Sequence, residues 1–400
     1  MTTPVLRDPA FLRLWCGTTA SGLATWALPF VLGLAVLDTS LTPAGLGVLL
    51  AARTIGFLAA VPVGGVLADR FPRRRVVAVA GTAAAVASPV IGAGLHGSLA
   101  VAVVAAAVAG AGQGACRPAF QALTAEVVAE AGRQRANAAI TLSVRVTTLV
   151  APSLTALLAT VLPVPALLWG TGLLWLAAAL VPPAGRPLTA LPAARASFAA
   201  EFADGLREAR RHPWFVAGLF ALTAVIATGY SATGVALPLV SRDRYGSEAV
   251  LAAATTAYTV GALAGALLLA RWTPRAAGRT ALAGLAAYAV APLSLLLPVH
   301  PAVVVAAYAI AGVGIELFNV PWFTAIQREV EPGKLARVSA LDFLLSYGLA
   351  PAGLALIAPT MAEFGAGPVL GACALVCLLA PAAAALAPGT RHFAQPRDRL

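Results

Sequence analysis

Long apolar runs separated by short polar breaks make up most of this chain. Twelve of them are long enough for a transmembrane helix of about 20 residues, at roughly 11–37, 44–68, 76–95, 98–122, 137–161, 164–182, 214–240, 248–270, 277–297, 301–325, 337–360 and 366–387. One break is longer than the rest. Residues 183–213 follow Pro182 with Pro183, Pro187 and Pro192 and then turn helical. Ser197 is placed as N-cap there, with Phe198, Phe202, Leu206 and Ala209 on one face. Glu201, Asp204, Arg207, Arg210 and Arg211 take the other faces, so an interfacial linker helix is predicted between two sets of six spans. The strict alternation of an outer-membrane barrel is absent. The pattern therefore predicts an all-α polytopic membrane protein with twelve transmembrane helices in two pseudo-symmetric six-helix halves. Their bounds are 1–182 and 214–390, with a linker at 183–213 and a basic tail at 391–400.

Composition agrees. The 400 residues are 60% hydrophobic and 11% charged, with mean hydropathy +0.87. A soluble domain carries roughly 25% charged residues, so this exterior has to face lipid. The net charge of +11 would suggest nucleic acid if it were clustered on one soluble face, but its distribution tells otherwise. Placing both termini in the cytoplasm leaves only Arg242 and Arg244 outside. Arg53, Arg117 and Arg145 fall within the membrane, and the remaining 22 of 27 basic residues lie inside. That asymmetry is the positive-inside rule. It predicts a multi-pass inner-membrane protein with cytoplasmic termini and no nucleic-acid partner. Met1 to Asp8 carry no cleavable signal, because the first apolar run is too long and lacks a small-residue cleavage site. Cys16, Cys116, Cys373 and Cys377 all lie in apolar stretches, where they serve as small packing residues.

The two halves echo each other at an offset of about 200 residues, a construction common among secondary transporters. Gly65-Val-Leu-Ala-Asp-Arg-Phe-Pro-Arg-Arg-Arg75 follows span two, and Gly265-Ala-Leu-Leu-Leu-Ala-Arg-Trp-Thr-Pro-Arg275 follows span eight. Arg135-Ala-Asn-Ala138 opens span five and Arg337-Val-Ser-Ala340 opens span eleven; Ala151-Pro152 matches Ala350-Pro351. Gly65 suits a close helix approach. Asp69 is a single acid among Arg70, Arg73, Arg74 and Arg75, placed to neutralise them or to cap a neighbouring helix N-terminus.

Gly65-x-x-x-Asp69-Arg70-x-Pro72-Arg73-Arg74 resembles the signature of the major facilitator superfamily, with Pro72 where that family commonly has Gly. The resemblance extends over the six-plus-six layout and the linker. It implies a secondary active transporter working by alternating access, with Gly65, Asp69, Arg70, Arg73 and Arg74 forming a cytoplasmic gate. Arg117-Pro-Ala-Phe120 and Gly314-x-x-x-x-Asn319-Val-Pro321 are similar to the drug- and siderophore-exporter branch that includes macrolide-efflux proteins. The antiporter signature expected near Ala151-Pro152 lacks its flanking glycines. A monomeric proton-coupled efflux permease for a small amphiphilic organic molecule is the expectation; an importer or a non-transporting sensor on the same fold is the alternative.

Ionisable residues inside spans cost about 2.5–3.5 kcal/mol each on insertion scales and so call for a function or a partner. Five qualify: Arg53, Arg117, Arg145, Glu316 and Asp342. Glu316, well inside span ten, is the candidate for proton coupling. Arg117 lies close to its counterpart in the repeat, and Asn319 sits beside it. The family fold lines its cavity with spans one, four, seven and ten, which would let Glu316 and Arg117 face one another. Arg53 and Arg145 suit either an anionic substrate or helix packing. Asp342 is expected to meet the arginines of the 69–75 turn. Trp26, Trp169, Trp214, Trp272 and Trp322 are placed as interfacial anchors, with Trp26 and Phe318 as alternative contacts for an apolar substrate.

Enzymatic readings find no support. The single lysine, Lys334, lies in Gly333-Lys334-Leu335, which lacks the hydroxyl and the preceding glycine of a phosphate loop. The histidines, His96, His212, His300 and His392, fall in loops or the tail, with no H-E-x-x-H and no metal set. No cofactor is expected.

Overall fold

The computed structural model describes residues 5–185, 197–348 and 350–394. Pro187, Pro192, Arg186 and Arg195 of the linker and Arg397 and Arg399 of the tail lie outside the described residues, as does residue 349.

All the secondary structure among these residues is helical. The helices are α1 (Pro9–Leu37), α2 (Pro43–Arg70), α3 (Arg73–His96), α4 (Leu99–Val127), α5 (Arg133–Ala159) and α6 (Val164–Leu180). The linker helix α7 (Phe198–Arg210) follows. Then come α8 (Pro213–Asp243), α9 (Ala249–Arg271), α10 (Ala277–Leu296) and α11 (Pro301–Glu329). The chain ends with α12 (Leu335–Gly348), α13 (Ala350–Phe364) and α14 (Ala366–Ala384). Ten of these are long and apolar enough to cross a membrane. α6 is apolar but has 17 residues, and α12 and α13 together occupy the run predicted as span eleven.

Local chemistry sets the boundaries. Asp8 caps α1 by accepting from Ala10 N–H at 2.9 Å, and Thr42 caps α2 by accepting from Gly45 N–H at 3.0 Å; proline follows each cap, where its missing N–H costs nothing. Ser197 caps the linker helix, accepting from Ala200 N–H at 3.3 Å. α8 contains a π-helical stretch, Ile226–Tyr230, the kind of local widening often found near functional sites.

The chain forms two compact units. The first comprises Met1–Ala136, Ser143–Leu206 and Val330–Leu341; the second comprises Asn137–Leu142, Arg207–Glu329 and Asp342–Leu400. They depart from the halves of the sequence at two places: the start of α12 clusters with the first unit, and six residues of α5 cluster with the second.

Small residues build both units in the same way. In the first, a Cβ on Gly56 would strike the Ala107 carbonyl and one on Gly110 the Arg53 carbonyl. In the second, Gly261 stands against Ala309 and Gly312 against Tyr258 in the same manner. α2 against α4, and α9 against α11, thus pack backbone to backbone. Lipid supplies no hydrophobic drive between helices, so close van der Waals contact has to hold them. This shared register makes Arg117 the repeat counterpart of Asn319 and Gly114 that of Glu316, one turn from the correspondence of Arg117 with Glu316 that the bare offset suggests.

Candidate functional site

Asp69 stands at the last turn of α2, with a fully buried side chain. One carboxylate oxygen accepts from Ala336 N–H at 3.1 Å. The other accepts from Arg337 N–H at 3.1 Å and from Arg337 Nε at 3.0 Å. Ala336 and Arg337 belong to the first turn of α12, whose N–H groups have no partner within their own helix. A carboxylate here meets both the bare donors and the positive end of the helix dipole. Arg73 adds a guanidinium at 3.8 Å.

The neighbouring cations are held one by one. Arg73, itself buried, pairs with Glu126 at 3.0 Å and donates to the Ala122 carbonyl at 3.0 Å and to the Pro332 carbonyl. Arg70 reaches Glu201 of the linker helix at 2.7 Å. Arg74 donates to the carbonyls of Ala179 and Leu180, at 2.6 and 2.8 Å, where α6 ends. Arg337 also donates to the carbonyls of Gly333 (2.9 Å) and Glu201 (3.1 Å) and lies 3.5 Å from Asp204. Lys334 pairs with Glu331 at 3.0 Å. Gly65 makes this assembly possible: a Cβ there would lie 2.6 Å from Ala340 Cβ and 2.9 Å from the Ala336 carbonyl.

Arg337, Glu126, Glu201 and Asp204, which bond directly to the residues of the 69–75 turn or to Arg337, were not singled out from sequence as site residues. The available signals were weak. Glu201 and Asp204 share one face of the linker helix at a spacing of three, and Arg337 opens the repeat of the 135–138 segment. Asp342, expected at this turn, has its carboxylate elsewhere. It accepts from Trp322 Nε1 at 3.0 Å and is buried in the second unit. Five residues on from Arg337 is about 140° round the helix, which turns it away.

Trp322 belongs to a buried aromatic cluster in that unit. It stacks on Phe215 (5.2 Å between ring centroids, 10° between planes) and on Phe318 (5.2 Å, 26°), with Trp214 edge-on at 5.7 Å. Gly218 leaves room for its ring. Trp214 and Trp322 are therefore core residues, whereas Trp169 and Trp272 are exposed as anchors would be. Phe318 is fully buried and Trp26 is 39% exposed.

Glu316 is also fully buried, on α11, its Cβ 3.2 Å from where a side chain on Gly265 of α9 would begin. Asn319, one turn further on, is half-buried. Beyond it Asn137 of α5 exchanges hydrogen bonds with Gln327 (3.0 and 3.2 Å) and donates to Thr324 at 2.9 Å. In the first unit, Arg53 donates to Gln113 at 2.7 Å and to the Thr25 carbonyl at 3.1 Å. Arg117 lies near enough for the two guanidiniums to repel. Arg145 is half-buried on α5. Among the described residues no group of three His, Cys, Asp or Glu side chains could hold a metal ion.

Comparison with known proteins gives a consistent result. The family profile described as Major Facilitator Superfamily matches residues 14–351 and 219–399. No curated protein matches the chain. Among solved structures, the human organic anion transporter MFSD10 (TETRAN) is 18% identical, with a TM-score of 0.73 over 96% of this chain and 100% of its own. A bacterial homologue of the iron transporter ferroportin, in an outward-facing state, is 17% identical, with a TM-score of 0.74 over 94% of this chain and 98% of its own. The Escherichia coli fucose:proton symporter FucP is 15% identical, with a TM-score of 0.64 over 94% and 98%. At such identities the likeness is one of fold.

Proposed function

The chain belongs to the major facilitator superfamily and is a multi-pass secondary transporter rather than an enzyme, and from that premise we propose that it is a proton-coupled efflux permease for a small amphiphilic organic molecule. Glu316 carries this reading. It is a fully buried carboxylate in an apolar span, and an ionisable group so costly to insert marks a function, which here is to take up and give back a proton. Alternating access brings it towards each side in turn, so a proton taken up outside is released inside while substrate travels the other way. The similarity of Arg117-Pro-Ala-Phe120 and Gly314-x-x-x-x-Asn319-Val-Pro321 to the drug- and siderophore-exporter branch supports the outward direction.

The latch on Asp69 supplies the second requirement, a closed state that can be broken. Its bonds to α12 have to part for the cytoplasmic side to open, and the acids of the linker helix draw that helix into the same event. Arg53, which donates to Gln113, and Arg117, near enough to repel it, would orient the polar end of an amphiphile.

The test is transport by purified protein in proteoliposomes, against a panel of amphiphilic cations, neutral compounds and anions. Substrate movement driven by an imposed pH gradient, opposite in direction to the proton, is the expected result. Binding without flux under every gradient would replace the reading with a sensor, and co-directional flux would replace it with an importer.

A further inference from the structure

The four arginines that begin α3 and its preceding turn are not equivalent. Arg70, Arg73 and Arg74 are each engaged by an acid or by helix-end carbonyls inside the first unit. Arg75 is exposed and makes no ion pair among the described residues. It stands at the mouth of an apolar furrow of about 450 Å³ whose walls include Leu67 and Phe71 of the α2 end, Val79 and Ala83 of α3, and Ala111 of α4. A second furrow of about 690 Å³ adjoins it at Ala83 and Val108 and continues along α3 and α4.

The first furrow has the dimensions of half a bilayer. From Arg75 to Ala83 α3 rises about 12 Å, close to one leaflet of a hydrocarbon core about 30 Å thick. Val79 and Val108 are 65% and 40% exposed, so the furrow opens outward, to lipid. The furrow also places an uncompensated cation where the chain must meet its headgroup.

We propose that this furrow is a binding site for an anionic phospholipid, with one acyl chain lying between α2 and α3 over α4 and the phosphate on Arg75. Charge complementarity selects the occupant: basic pockets at the cytoplasmic ends of transmembrane helices recognise acidic headgroups, and neither wall offers a carboxylate for a zwitterionic lipid's ammonium. The site abuts the turn that carries Asp69 and Arg73, so an occupied furrow would brace the N-terminus of α3 against α2.

Native mass spectrometry of the full-length protein tests the idea, with phosphatidylglycerol and phosphatidylcholine of identical acyl chains titrated separately. Wild-type protein should retain phosphatidylglycerol roughly fivefold better, the preference one basic residue near the surface confers. Arg75→Gln should abolish that preference and Arg75→Lys should keep it. Ala111→Phe, which fills the floor of the furrow, should lower retention of both lipids. High salt should erase the wild-type preference, a reading that needs no variant to fold. Equal retention of the two lipids by wild-type protein would overturn the proposal. So would a preference that survives Arg75→Gln, or undiminished retention of both lipids by Ala111→Phe.

Discussion

Arg337 donates to one oxygen of Asp69 twice, from its backbone N–H at 3.1 Å and from its side chain at 3.0 Å. One residue thus joins helix capping and ion pairing on a single buried carboxylate. Asp69→Asn keeps the shape, removes the charge and turns one acceptor into a donor facing N–H groups. We expect it to destabilise the latched state by about 3 kcal/mol, as loss of one partner from a buried pair does, and to reduce transport at least tenfold. Arg337→Lys should fall between the two, since lysine keeps the charge but cannot span the carbonyls of Gly333 and Glu201 at the same time. Thermal unfolding and flux in proteoliposomes measure both effects. Unaltered flux in Asp69→Asn at equal protein level would reduce the turn to a topology signal.

Gly65→Ala tests the close approach that puts Asp69 in place. The added methyl would sit 2.6 Å from Ala340 Cβ and 2.9 Å from a backbone carbonyl, so α12 has to retreat. A loss of about 1–3 kcal/mol is expected from such overpacking, with weaker transport. Gly33→Ala is the control, because nothing lies within 4 Å of a Cβ there. Equal melting temperatures for the two variants would remove Gly65 from the latch.

Glu316→Gln mimics the protonated form. Proton-driven substrate movement should vanish, while substrate binding and exchange without a gradient persist. The pH dependence of transport should flatten in the variant, because the carboxyl proposed to carry the proton is gone. Normal gradient-driven transport by Glu316→Gln would make Glu316 a packing residue.

The orientation rests on arginine placement. In a Cys16→Ser background, a membrane-impermeant thiol reagent applied outside should label Ser247→Cys and spare Gly333→Cys. The opposite pattern would invert the topology.

Much of this protein was legible in the chain because a membrane allows few solutions. Backbone groups in lipid must bond within their own helix, so an apolar run of sufficient length is already a helix, and the arginines between runs indicate its direction. Ser197 could be assigned a capping role from residue type alone, whereas for Asp69 residue type left open whether it neutralises its arginines or caps a neighbouring helix. The repeats were visible too, although only packing set their register: Gly110 against Arg53 and Gly312 against Tyr258 make Arg117 the counterpart of Asn319 rather than of Glu316. The tertiary structure alone decided which helix Asp69 caps, since that partner lies 268 residues away in sequence and no local periodicity reaches so far. It also decided between Arg337 and Asp342, because helical twist turns two nearby polar residues towards different neighbours. Trp214 and Trp322 show the same limit: composition marks tryptophan as an interfacial anchor, but the space left by Gly218 takes Trp322 into the core, where Trp214 packs edge-on against it. Sequence determines which residues are costly to bury, and three-dimensional packing determines which partner makes each burial tolerable.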